Sequence, residues 1–85
     1  MEINPIYYGL TARILLIKLD ANQIGIQKVI KSRIIQKDAA KIIAIAQQIK
    51  SVNPTLEIAL ICTRNICSKS IALLEKEEIN IRTVE

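Results

Sequence analysis

Residues 37–62, KDAAKIIAIAQQIKSVNPTLEIALIC, constrain the fold more than any other part of the chain. Ala39, Ile42, Ile43, Ala46 and Ile49 recur at three- and four-residue steps, so a helix here must bury one stripe of its surface. Asp38 stands where a helix cap is wanted. Asn53 and Pro54 end the segment, because the residue before a proline is pushed out of helical geometry. The run LEIALIC at 56–62 is almost wholly apolar and rich in strand formers, the pattern of a strand covered on both faces. A helix returning directly to such a strand is the middle of an α/β layer.

Upstream, residues 13–19 (RILLIKL) form an apolar run of strand length, followed by the turn formers Asp20, Ala21 and Asn22. Residues 24–33 fit two periods. At period two, Ile24, Ile26 and Ile30 line one face and the segment closes a hairpin with the preceding strand; at helical period, Ile26, Val29, Ile30 and Ile34 form a stripe. Gly25 and the density of β-branched residues favour the hairpin. Downstream, residues 63–67 read as a polar loop, Ser68 or Ser70 as the cap of a short helix at 71–77, and 79–84 as a terminal strand. The expected architecture is a single small α/β domain over residues 1–85. Its mixed sheet has the order β-β-α-β-α-β with helices covering it, and its last two strands are parallel across a right-handed crossover. Residues 1–9 read as an irregular arm whose Tyr7 and Tyr8 dock on the core or, as the sharper option, stack on bases.

Composition narrows the function. The chain has 85 residues and no Phe, Trp or His, so its thin core must be built from Ile, Leu and Val. So much Ile and Leu in so small a domain predicts a homodimer or a larger protein partner to cover the excess. No charge-free apolar run long enough to span a bilayer is present, nor a signal peptide, so a soluble cytoplasmic protein without membrane contact is expected. Cys62 and Cys67 offer too few ligands for zinc in a chain without histidine. Cys62 reads as a small core residue and Cys67 as a loop thiol, both reduced. Gly9 and Gly25 cannot make a glycine-rich phosphate loop, and a Ser-His-Asp arrangement is impossible. No catalytic residue, cofactor or metal ligand is therefore assigned.

Charge is the remaining signal. Lys28, Lys31, Arg33, Lys37 and Lys41 fall close together, interrupted only by Asp38, whereas Glu75, Glu77 and Glu78 gather late in the chain. One basic patch of this kind is the electrostatic footprint of a DNA or RNA contact, and the five cations are the candidate binding residues. A solvated face with scattered lysines would look similar, and no aromatic residues interleave with the charges.

The runs RILLIKLDANQIGIQKVIKSRIIQKDAAKIIAIAQQIK, LEIALICT and SIALLEKEEINIRTVE together resemble the core of restriction-endonuclease-like nucleases, especially the RecB-like and archaeal single-strand nucleases. The resemblance covers residues 9–85. It implies an aspartate-bearing strand, a hairpin, a strand ending Glu-x-Lys, a helix and a buried strand, with magnesium held by the carboxylates and a lysine helping to activate water. This chain departs from that pattern. Ala12 or Arg13 stands at the aspartate, and Gln27-Lys28-Val29 or Val29-Ile30-Lys31 at Glu-x-Lys, so only a lysine survives. Asp20 reads as a turn former.

Three readings remain in view. The first is a catalytically inert α/β domain binding nucleic-acid phosphates through the basic patch. The second is a dimeric structural or protein-interaction module without nucleic-acid binding. The third is a metal-dependent nuclease whose ligands come from elsewhere.

Overall fold

The computed structural model describes residues 2–29 and 33–84. Its elements in chain order are β1 (Glu2–Ile3), a 3-10 turn (Pro5–Tyr8), β2 (Leu15–Asp20), β3 (Gln23–Lys28), α1 (Gln36–Val52), β4 (Glu57–Cys62), α2 (Ser68–Lys76) and β5 (Asn80–Thr83). The strands lie in one mixed sheet in the order β1-β2-β3-β4-β5. β1, β2 and β3 are antiparallel neighbours, and β3, β4 and β5 run parallel. The expected order of four strands and two helices holds, with the two-residue β1 added at one edge.

Residues 23–28 adopt the hairpin reading, because a strand here finds a ladder on both sides, antiparallel to β2 and parallel to β4. A helix would forfeit both. The turn is made as its residues suggest, with the Asp20 carboxylate accepting the Ala21 N–H at 2.7 Å. Ile30, Lys31 and Ser32 lie outside the described residues.

Both helix starts differ from expectation. α1 begins before Asp38: Ile35 is the N-cap, and the Asp38 carboxylate, one turn in, reaches back to accept the Ile35 N–H at 3.1 Å. Asp38 thus serves the first turn as the acidic third residue of a capping box does. α2 is capped by neither serine. Cys67 is its N-cap, and its sulfur accepts the Ser70 N–H at 3.3 Å. Ser70 is fully buried, with its hydroxyl 2.9 Å from Cys67 Sγ and donating to the Ile34 carbonyl at 3.4 Å. A parallel bridge between Ile34 and Ile66 ties the approaches to the two helices together, so residues 63–67 are not a free loop.

Register decides which side chains meet. Leu16, Ile24, Ile26, Ile58, Leu60 and Cys62 share one face, and they join Ala39, Ile42, Ala46 and Ile49 of α1 and Leu74 of α2 in one buried cluster. Both helices lie on this face and contact one another. Leu15, Ile17, Leu19 and Ile61 point the other way and stand apart from the cluster. The expectation of a strand covered on both faces therefore holds for β4 in burial but not in the manner expected. Among the described residues no helix covers the second face. Leu19 and Ile61 lean over Gly25 instead, so close that a Cβ there would stand 3.0 Å and 2.7 Å from their methyl groups. The Arg82 guanidinium crosses β4 from β5 to donate to Gln23 Oε1 on β3 at 2.9 Å. Beneath these side chains Gly25, Ala59 and Gln23 are buried.

Of the segment read as an irregular arm, residues 2–9 form β1 and the closed 3-10 turn. Asn4 caps the 3-10 turn through its side chain and Gly9 closes it in the left-handed region at φ 74°. Tyr8 is buried in the core cluster, and its carbonyl accepts the Gln48 side-chain N–H at 2.9 Å, whereas Tyr7 is 73% exposed and meets Tyr8 edge to face. Tyr8 is a packing residue; Tyr7 is a surface one.

Candidate nucleic-acid interface

Hairpin geometry brings the two ends of the β2–β3 pair together. Leu15 at the start of β2 opposes Gln27 near the end of β3, so Arg13, just ahead of β2, and Lys28, the last residue of β3, flank the same end of the sheet. The first half of α1 passes over this end and adds Lys41, Ile42 and Ile45. Between them is a cleft of about 280 Å³ with Ile14, Ile26, Ile42 and Ile45 among its apolar walls and Arg13, Lys28 and Lys41 as its cations. Leu15 and Val29, each about half exposed, stand at its rim.

Of the five cations singled out in the sequence, Lys28 and Lys41 line this cleft. Lys37 is exposed in the first turn of α1, and Arg33 is exposed in the approach to it, its positive charge felt by Cys67; neither lines the cleft. Lys31 falls outside the described residues. Arg13 is the residue the charge pattern missed, because it lies fifteen positions before Lys28 in the sequence. The register of a hairpin folded at Asp20 was the signal that could have found it.

Lys28 is partly committed already, with its ammonium 3.8 Å from Asp38 and both side chains about a quarter exposed. A pair so placed contributes little and releases its lysine readily to a stronger anion. The opposite end of the sheet has the opposite sign: Glu57, Glu75 and Glu78 surround a second concavity of about 330 Å³ in which Lys50 is the basic residue. The charge is thus separated along the strands, basic where β3 ends and acidic where β4 begins.

Of the positions at which the nuclease resemblance would place carboxylates, Arg13, Gln27 and Val29 line this cleft beside Lys28, whereas Ala12 does not, and Ile30 and Lys31 lie outside the described residues. Two cations and a neutral amide repel or ignore a magnesium ion, so this donor set does not fit one. Among the described residues no group of three or more His, Cys, Asp or Glu side chains could hold a metal. Among them, too, no helix is long and apolar enough to cross a membrane.

The two thiols differ by environment. Burial pushes the Cys62 thiol up, whereas Cys67 is lowered, chiefly by its hydrogen bonds with the Ser70 side chain and backbone N–H and further by the Arg33 charge. The thiolate is the nucleophile, so its fraction at a given pH is larger at Cys67 than at Cys62. Brief iodoacetamide treatment near pH 7 should modify Cys67 and spare Cys62 until the protein is unfolded. Equal modification of the two, read by mass spectrometry, would contradict both the burial of one and the capping geometry of the other.

The fold and cleft define a small α/β domain with a mixed sheet and a cationic groove at one end. The chain matches no protein-family model, and neither a curated protein nor a solved structure shows significant similarity to it.

Proposed function

We propose that this chain is a catalytically inert nucleic-acid-binding domain that holds the phosphate backbone at the end of the sheet where β3 meets α1. The observation that carries the reading is the convergence of Arg13, Lys28 and Lys41 on one cleft, from the approach to β2, the end of β3 and α1. Lys37, exposed in the first turn of α1, extends the positive surface. The acidic end of the sheet repels the same polyanion and so orients it. The restriction-endonuclease-like resemblance supports the reading: with Ala12 or Arg13, and Gln27 or Val29, in place of its carboxylates, such a core keeps a surface facing phosphates while losing its metal. Contacts of this kind read the backbone and not the bases, so little sequence preference is expected.

Fluorescence anisotropy of a labelled duplex and a labelled single strand, titrated with protein across a salt series, tests the reading. Three phosphate contacts predict a log–log salt slope of about −2.7 on duplex, or roughly 40-fold weaker binding between 50 and 200 mM salt. Absence of binding to both probes at the lowest salt would sink it.

A further inference from the structure

We infer that the cationic cleft also takes a single-chain alkyl anion, a medium-length carboxylate, with its head among Arg13, Lys28 and Lys41 and its chain along the isoleucine walls. Phosphate contacts use only the cations and leave those walls wet. The apolar surface is continuous with the interior. Ile26 and Ile42 belong to the core cluster, Ile14 and Ile45 pack against it, and the half-exposed Leu15 and Val29 carry it out to solvent. Among the described residues that line the cleft none is acidic and none aromatic, and Gln27 is the neutral polar one. An unstacked base is held by an aromatic platform and by polar groups at its edges, and this cleft offers it a single amide. An alkyl chain needs only aliphatic surface, and its removal from water is the driving force.

Charge complementarity fixes the head. Three cations with no acid in the lining select an anion, and Arg13 supplies the planar fork that grips a carboxylate through two hydrogen bonds. Asp38 competes for Lys28 from 3.8 Å, but a pair so placed yields to a ligand that brings apolar contact with its charge. Size fixes the tail. The cleft, at about 280 Å³, falls just below the ~300–1,000 Å³ of pockets that enclose drug-sized ligands, so it suits one short chain and not the two chains of a membrane lipid.

The test is a nuclear magnetic resonance titration of the intact chain with butyrate, hexanoate and octanoate, each below its micellar concentration. Each methylene taken from water strengthens binding roughly two- to fourfold, so octanoate should bind at least about 16-fold more tightly than butyrate. The amide shifts should centre on Ile26, Val29, Lys41 and Ile45. Lys41→Glu should weaken octanoate about tenfold, and octyltrimethylammonium, with the same chain and the opposite charge, should leave these amides unmoved. Equal affinity along the series, or no loss in Lys41→Glu, overturns the proposal. So does equal binding of the cationic amphiphile, or binding to anionic diacyl vesicles without binding of octanoate. The series is read with no nucleic acid present, so failure here and failure of the anisotropy experiment are separate results.

Discussion

Leu60→Ala is expected to lower the melting temperature by roughly 10–25 °C, whereas Ile61→Ala, one residue along the same strand, lowers it by only a few degrees. Leu60 is fully buried at the middle of β4, between Ile26 on one side and Ile81 on the other, and it belongs to the cluster that both helices close. Truncating a leucine in such a place removes its transfer free energy and leaves a cavity that neighbouring β-branched side chains cannot collapse into, costing about 3–4 kcal/mol. A domain of this size has a total stability of only about 4–13 kcal/mol, so the loss is a large fraction of it. Ile61 faces the uncovered side of the sheet and is partly exposed, so most of its truncation is relieved by water. Thermal melts of the two variants followed by circular dichroism measure the asymmetry. Equal losses would mean that the two faces of the sheet are covered alike, against the one-sided arrangement of the helices.

Reversing the charges of Lys28 and Lys41 together is expected to weaken nucleic-acid binding roughly 100-fold at low salt and to reduce the salt slope by about two units. Each lysine that sits on a phosphate releases a counterion on binding, and a glutamate in its place repels the phosphate instead. Lys18→Glu with Lys76→Glu is the control, because it changes net charge by the same amount at exposed positions away from the cleft. A small change is expected there, under about threefold, as neither side chain lines the cleft and exposed charges are screened by salt. Equal loss in the two double variants would show that net charge alone governs binding and that the cleft has no special part in it. Melting curves of each variant exclude loss of fold as the cause.

The candidate site was half legible. Lys28 and Lys41 are close in sequence and appear in any scan for charge, but Arg13 joins them only through the fold-back at Asp20 and the pairing of Leu15 with Gln27. Arg33 looks like a member of the same cluster in the sequence and belongs to a different neighbourhood, beside the cap of α2. Sequence distance measures neither of these relations. The cap itself shows the same limit: a serine is the ordinary choice, yet Ser70 is drawn inward by the Ile34 carbonyl thirty-six residues away, and the thiol of Cys67 takes the capping place.

What the sequence by itself determined is local and periodic. The stripe Ala39, Ile42, Ala46 and Ile49 can be satisfied by one amphipathic helix alone, the proline after it must end that helix, and the run at 56–62 must be a buried strand. Period two told that Leu60 and Ile61 face opposite ways, but not which of them meets the helices. That choice is made by the direction of two successive crossovers, from β3 to β4 and from β4 to β5, which set both helices on one side. The other side is then left for Leu19, Ile61 and Arg82 to close over Gly25 and Ala59. These are long-range relations between segments whose individual patterns fit either face equally well, and only burial of the whole apolar surface at once distinguishes the two.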